Sequence, residues 1–307
     1  MPKAYVFTRN GGPETEALVD LDRPAPGPGE LLVAVRAAGV NPVDYKIRNG
    51  FRRPGQGAAA FPEVFGSEVS GVVVETGPDV SGFAVGDAVF GTPVAGGYAE
   101  FAVLPQRVTA HKPAPLSFTA AATLPVAAAT AYEGLQQLAL PAGATLLVTG
   151  AGGGVGVAAV QLARAAGLRV LGLAGETKKD LLDSLGAVHI PSGPGWPERV
   201  RAAAPEGLDG IFDLVGGEVF EEAAGFVPGG TKLVTATVRP DEAERLGGAR
   251  VARARTAAVL EDVAALAADG TLDPHVGLTL PLDRAGEALR AVEDGHTRGK
   301  IVIEVSR

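Results

Sequence analysis

Residues 145–167 read TLLVTGAGGGVGVAAVQLARAAG, an apolar β-branched run, then five glycines in seven residues, then an alanine-rich stretch with helical spacing. A chain turns this way when a buried strand passes directly into a helix. Glycine permits the tight turn, lets backbone N–H groups approach a pyrophosphate and lets the helix pack against the strand, while the helix N-terminus supplies a positive dipole. The strict G-x-G-x-x-G pattern is absent. Counting from Gly150 the sixth residue is Val155, counting from Gly152 it is Val157, and Ala151 stands where the first glycine would fall. The placement between strand and helix still points to a dinucleotide cradle formed by Gly150, Ala151, Gly152, Gly153, Gly154, Val155 and Gly156, against the alternative of a merely tight connection.

The surroundings fit such a unit. From about residue 117 helical and strand patterns alternate: FTAAATLPVAAATAYEGLQQL, TLLVTGA, VGVAAVQLARAAG, RVLGLAG, KKDLLDSLG, DGIFDLVGG, EVFEEAAGF and TKLVTAT. That spacing predicts a doubly wound parallel sheet. Before it, short apolar runs are punctuated by turns, as in LLVAVRAAGV (31–40), SEVSGVVVETG (67–77) and DAVFG (87–91), which predicts a β-rich, barrel-type domain. After it come TAAVLEDVAALAADG, GLTLPL, RAGEALRAVEDG and a last strand GKIVIEV, which can return to the first domain. The chain has 307 residues, more than one compact core usually holds, so two domains are expected.

Composition excludes several classes. With 46% apolar and 20% charged residues the chain is globular. A net charge of -8 without a basic block argues against nucleic acid. The N-terminal MPKAYVFTRNGGPE lacks a signal core and no apolar run is long enough to span a bilayer, so no membrane partner and a cytoplasmic location are expected. Zero cysteines remove disulfides, a thiolate nucleophile and any cysteine-bound zinc. His111, His189, His275 and His296 are far apart, so no metal site is expected and a catalytic histidine is not indicated.

The end of the second strand of the alternating region selects among dinucleotides. An NAD site typically places an acid there for the ribose hydroxyls. RVLGLAGETKKD offers Ala174 and Gly175, followed by Thr177, Lys178 and Lys179, which suits a 2′-phosphate and hence NADPH. The alternative is two solvated lysines at the start of a surface helix, and Glu176 nearby counts mildly against the phosphate.

NPVDYKIRNG (41–50), PEVFGSEVSGVVVETGPDVSGFAVGDAVFG (62–91), GGYAEF, LPVAAATAYEGL, GAGGGVGVAAVQLARAAG, DGIFDLVGG and GHTRGKIVIEV together resemble the medium-chain dehydrogenase/reductase superfamily, and within it the zinc-free quinone oxidoreductase, zeta-crystallin-like branch. The resemblance runs through essentially the whole chain in order. It implies an α/β fold: a Rossmann doubly wound parallel sheet (118–270) that binds NADP, plus a GroES-like, β-barrel-type catalytic domain (1–117 and 271–307). The alanine in the glycine turn is usual in that branch. Zinc enzymes of the superfamily carry cysteine where this chain has Asn41, histidine within Gly66-Ser67-Glu68 and a second cysteine near Val126. Without that Lewis acid, alcohol oxidation loses its main charge stabilisation. Hydride transfer from NADPH to an electron-poor quinone or α,β-unsaturated carbonyl remains.

The resemblance also nominates side chains. Asn41 and Asp44 keep the Asn-x-x-Asp segment, which in the family lines the cleft beneath the nicotinamide. Tyr45 and Lys46 stand where quinone reductases commonly have a tyrosine one position later. Asn41 would bond a carbonyl oxygen, and Tyr45 or Lys46 would donate a proton or stabilise an enolate. Asp44 bracing the following turn and Lys46 on the surface are the plain alternatives. Thr130 matches a threonine behind the nicotinamide, or is packing; Gly216, with Gly217, ends a strand where cofactors bind, or makes a tight turn. Arg298 and Lys300 near the end either touch the cofactor or, as charges flanking an exposed strand, are solvated, and the second reading is preferred. Pro191 replaces a frequent aromatic near the 2′-phosphate. Arginines 250, 253 and 255 either shape a substrate pocket or cover a helix. Two other functions stay open, a zinc-free enoyl-thioester reductase and a non-catalytic NADPH-binding, crystallin-like protein. A homodimer is expected, with the segment 276–282 pairing the edges of cofactor-domain sheets.

Overall fold

The computed structural model describes residues 1–52, 57, 60–226, 232–295 and 297–305. The chain divides into two compact units. The first comprises Met1–Val126, Arg255–Ala268 and Val276–Arg307, the second Ala127–Ala254 and Asp269–His275.

The first unit opens with β1 (Lys3–Phe7), β2 (Glu16–Asp20), β3 (Glu30–Val40), α1 (Pro42–Arg48), β4 (Glu63–Val64), β5 (Val69–Thr76), β6 (Ala88–Gly91), β7 (Phe101–Pro105), β8 (Thr109–His111) and α2 (Phe118–Ala121). The second contains α3 (Ala129–Leu138), β9 (Thr145–Thr149), α4 (Gly154–Ala165), β10 (Arg169–Ala174), α5 (Lys179–Ser184), β11 (Val188–Pro191), α6 (Trp196–Ala203), β12 (Gly210–Asp213), α7 (Gly217–Ala224), β13 (Leu233–Thr235), α8 (Pro240–Arg245) and β14 (Ala249–Arg250). The first unit is completed by α9 (Ala257–Ala268), β15 (Val276–Pro281), α10 (Ala285–Glu293) and β16 (Lys300–Glu304).

In the first unit β3 is the organising strand. It is buried on both faces apart from Arg36, so nearly every residue of ELLVAVRAAGV can be apolar rather than alternating. One edge pairs with β5 along its length; the other is shared by β7 at residues 30–34 and β16 at residues 37–40. The last strand therefore closes onto the first part of the chain, the return that the sequence reading allowed. The resulting sheet runs β15-β16-β3-β5-β6-β8, and a second, β2-β1-β4, packs beside it through Phe7 and Phe65.

In the second unit six parallel strands run in the order β11-β10-β9-β12-β13-β14. The direction of winding reverses between β9 and β12, and ligands of such sheets bind at the carboxyl ends on either side of that reversal. Leu147, Leu171, Ile211 and Leu233 from four adjacent strands build the core with Trp196 and Phe220 from the flanking helices.

Several details depart from the sequence reading. The helical run from residue 118 breaks into α2, a π-turn at Leu124–Ala128 and α3, because Pro125 has no N–H to continue the ladder. The strand VHIP, α6, α8 and the two-residue β14 were not legible, being short and, in α6 and α8, opened by glycine or arginine caps and a proline. The helix at 257–268, expected with the nucleotide sheet, belongs to the first unit and packs on β8. Residues 276–281 form the edge strand of the first unit's sheet rather than an element of the cofactor sheet, so they do not pair cofactor-sheet edges; those edges are β11 and β14. His296 lies outside the described residues.

Candidate active site

In the first unit the polar residues converge where β3 ends and α1 begins. Asn41 is the N-cap and Pro42 the first helical residue, a combination favoured because proline lacks an N–H that would be unsatisfied there anyway. Asp44 sits three residues on and accepts the Asn41 backbone N–H at 2.9 Å, so the bracing role is real. Its carboxylate does more than brace. Oδ1 accepts from the Ser67 hydroxyl at 2.6 Å and Oδ2 from the Tyr98 hydroxyl at 2.9 Å. Asp44 and Tyr98 are fully enclosed, and burial raises the Asp44 carboxyl above its ordinary value despite those donors, with the Glu68 charge adding to the rise. Tyr98 is pushed up by burial and by the Asp44 charge.

Asn41 is committed elsewhere. Its amide donates to Glu68 Oε1 at 2.8 Å, while its Oδ1 accepts from Lys300 Nζ at 2.6 Å. Lys300 also donates to Glu68 Oε1 at 2.8 Å and to the Val40 carbonyl at 3.1 Å, and Glu68 Oε2 accepts the Val126 N–H at 2.7 Å. Lys300 is 4% exposed and Glu68 0%. The expectation of a solvated Lys300 is thus corrected: β16 lies inside the sheet, and the side chain of its first residue points into the protein, where the buried carboxylate neutralises it. The Glu68 side chain crosses Gly39 so closely that a Cβ there would lie 2.1 Å from Oε1.

Asp44 and Ser67 line a cavity of about 330 Å³ formed by first-unit residues, with Phe7, Phe65, Pro93 and Val94 among its apolar walls. Tyr45 and Lys46 do not join them. Tyr45 is half-buried towards Arg48 and Glu293, where burial and the Glu293 charge raise its phenol, and Lys46 is exposed. Successive helical residues step about 100° around the axis, so neither shares the face of Asp44 and Arg48. Arg48, 1% exposed, holds the far end of α1 through Glu16 at 2.5 Å and Glu293 at 3.0 Å.

In the second unit the glycines act as their spacing implied. Gly150 takes φ +67°, Gly153 is the extended N-cap of α4, and Ala151 N–H bonds the Leu173 carbonyl, tying the turn to β10. A Cβ at Gly156 would sit 2.3 Å from the Gly150 carbonyl, which is why helix and turn can touch only there without a side chain. The strict motif fails at Val155, which is half-buried in the first turn of α4, while the position required to be bare is Gly156. At the tip of β10, Ala174 is buried and Gly175 is exposed with open space beside it. Lys178 and Lys179 then part company. The Lys178 stem lies over Gly152, whose added Cβ would meet its Cγ at 2.7 Å, whereas Lys179 is exposed and ion-paired with Asp183 one turn on. Thr177 is exposed and Thr130 is buried on α3.

A buried carboxylate that the sequence reading did not single out ties strand ends of the same unit together. Asp213, at the end of β12, accepts from Thr149, Thr235 and Thr237 hydroxyls at 2.7, 2.7 and 2.9 Å and from the Val215 and Gly216 N–H groups at 3.1 Å. The carboxyl ends of β9, β12 and β13 are thereby locked together beneath Gly216, which takes φ +82°. A hydroxyl ending each neighbouring strand, TLLVT and LVTAT beside IFD, was the available signal. Arg253 donates to the Ala236 carbonyl in the same unit. Among the described residues, no helix is long and apolar enough to cross a membrane and no group of three or more His, Cys, Asp or Glu is placed to hold a metal ion.

The alcohol dehydrogenase GroES-like domain family matches residues 27–114 and the zinc-binding dehydrogenase family residues 185–303. A chloroplast envelope quinone oxidoreductase homolog of Arabidopsis thaliana is 33% identical over 93% of this chain and 93% of its own length. The spectinabilin polyketide synthase system protein NorB of Streptomyces orinoci is 35% identical over 90% of this chain, which spans only 13% of that protein. A mycobacterial protein solved in complex with NADPH superposes with a TM-score of 0.87 at 29% identity, covering 98% of this chain and 99% of that one. The chain belongs to the medium-chain dehydrogenase/reductase superfamily, in its zinc-free quinone oxidoreductase branch. It is an oxidoreductase of that family.

Proposed function

We propose that this chain transfers hydride from NADPH, without zinc, to a quinone or an α,β-unsaturated carbonyl. The observation that carries the reading is the Lys300 ammonium seated against Glu68, Asn41 and the Val40 carbonyl. The buried carboxylate at this end of the sheet is neutralised by the protein's own cation. Chemistry here then falls to an acceptor that is already electron-poor, since no alkoxide needs a Lewis acid.

The donor set fits NADPH. No side chain caps the N-terminus of the twelve-residue helix α4 where the turn from Gly150 through Gly156 enters it, which suits an anion such as the pyrophosphate. Gly175 leaves room beside the ribose position, and Lys178, on the glycine turn, would meet the 2′-phosphate; Ala174, Thr177 and Thr130 complete the proposed contacts. When bound, NADPH supplies the hydride. The likeness to a mycobacterial protein solved with NADPH and to NAD(P)H oxidoreductases supports this assignment. The acceptor is assigned to the first unit's cavity, with Ser67 and Asp44 as its polar end. A test is NADPH consumption with 1,4-benzoquinone and an enone, with and without chelator.

An enoyl-thioester acceptor is the second reading, favoured by the 35% identity to a segment of a polyketide synthase system protein. A pantetheine thioester consumed in preference to free quinones would select it. A pure NADPH binder would have no use for the Ser67–Asp44 pair at a cavity wall. We also propose a homodimer, which a solution mass of twice the chain would establish.

A further inference from the structure

We propose that Ser67 is the proton donor to the reduced acceptor and that Asp44 recharges it, an inference that rests on the acceptor binding in the first unit's cavity. Both side chains line that cavity, and their oxygens are 2.6 Å apart, a short contact for two oxygens and suited to a shared proton. The two oxygens of Asp44 have different surroundings. Oδ2 receives the Asn41 N–H and the Tyr98 hydroxyl, each at 2.9 Å, and neither can be given up cheaply, since both lie in the interior. Oδ1 meets Ser67. When the carboxyl is protonated, the proton resides on Oδ1, directed at Ser67 Oγ; this reverses the bond that Ser67 donates to the carboxylate and releases the serine's own hydrogen for transfer. Burial of Asp44, which has no ion pair among the described residues, favours that neutral form, and the charge of Glu68 acts in the same direction. Tyr98 and the Asn41 backbone hold the carboxyl in place.

The step balances with the nicotinamide as reductant. Hydride from NADPH adds to the acceptor carbon of an enone, or to a quinone, leaving NADP+ and an enolate or hydroquinone monoanion. The Ser67 O–H bond breaks as its proton passes to that anion, while the Asp44 Oδ1–H bond breaks to restore the serine hydroxyl. Asp44, then a carboxylate, regains one solvent proton through Ser67 after the product leaves. Ser67 touches the substrate in this scheme; Asp44 acts through it. The sequence reading placed the proton on Tyr45 or Lys46, which lie off this face of α1.

Two measurements on the whole chain test it. The first is infrared spectroscopy of the cofactor-free protein with labelled aspartate. A protonated-carboxyl C=O stretch that persists to higher pH than that of an ordinary aspartate and shifts in S67A is expected, and its absence overturns the inference whether or not an acceptor is known. The second uses whichever acceptor the wild type turns over with NADPH. S67A is expected to lose about a hundredfold in kcat at nearly unchanged KM. Its solvent isotope effect should change with it, while NADPH affinity stays as in the wild type, thermal stability falls modestly with the lost buried hydrogen bond, and S67T restores part of the rate. An S67A enzyme with wild-type kcat, pH profile and isotope effect overturns the proposal. A wild type that oxidises NADPH with no acceptor contradicts the proposed function instead, and the infrared result then stands alone as the test of the pair.

Discussion

Lys300 Nζ lies 2.8 Å from Glu68 Oε1, with both side chains shut away from solvent, one at the start of the last strand and the other just ahead of β5. The pair joins four places distant in sequence, since Asn41 and Val126 bond to the same carboxylate. Breaking a buried pair from one side strands a charge, at a cost of about 3–5 kcal/mol, while replacing both partners removes the stranded charge. K300M and E68Q are each expected to unfold at clearly lower denaturant concentration than the wild type. The double variant should recover part of the loss, and additive losses in chemical denaturation would show that the two residues do not act as a pair.

The glycine turn makes a contrast of two alanines. G156A forces a Cβ to within 2.3 Å of the Gly150 carbonyl, which is backbone and cannot swing aside, so overpacking should cost about 1–3 kcal/mol and abolish measurable NADPH binding. G175A meets open space at an ordinary φ of -60° and should fold as well as the wild type. Thermal melts with a cofactor titration check both, and an unchanged melt for G156A would mean the helix does not abut the turn.

The two lysines should separate in cofactor choice. Lys178 lies over the glycine turn, whereas Lys179 is held by Asp183. Loss of a hydrogen bond to a charged phosphate is worth about 1.5–3 kcal/mol. K178M is therefore expected to weaken NADPH by about tenfold or more and leave NADH nearly unaffected, with K179M close to wild type. Equal effects of both variants on NADPH and NADH in a fluorescence titration would remove Lys178 from the 2′-phosphate site.

Asp44 gives a pH dependence with a definite sign. Its folded-state value lies above that of the unfolded chain, about 3.9, so the folded protein binds the proton more tightly. The contribution is present below the unfolded value, is lost as pH rises through the folded value, and is flat above it. Subtracting the stability of D44N from that of the wild type at each pH cancels the other carboxylates. The difference should fall with rising pH across the acid range; a difference that rises would mean that hydrogen bonding outweighs burial at this carboxyl.

Much of this was legible from residues alone. The alternation after residue 117 predicted the parallel sheet, and the spacing of Gly150, Gly153 and Gly156 predicted where helix meets turn: Gly150 takes a positive φ and Gly156 has no room for a Cβ. What stayed hidden depends on partners distant in sequence. Lys300 reads as a charge flanking a strand until β16 is seen to pair with β3, and Ser67 and Tyr98 reach Asp44 only once three separate segments converge. Tyr45 and Lys46 were nominated by the family resemblance, through a tyrosine displaced by one position, but on a helix one position turns a side chain to a different face.

The central claim is hydride transfer from NADPH to an electron-poor acceptor without zinc. The most direct measurement follows NADPH absorbance with 1,4-benzoquinone and a small enone, using protein pre-treated with a strong chelator and beside an untreated control. The account predicts saturable oxidation of NADPH, faster than of NADH and the same with and without chelation. Activity that disappears on chelation and returns with added zinc would contradict it.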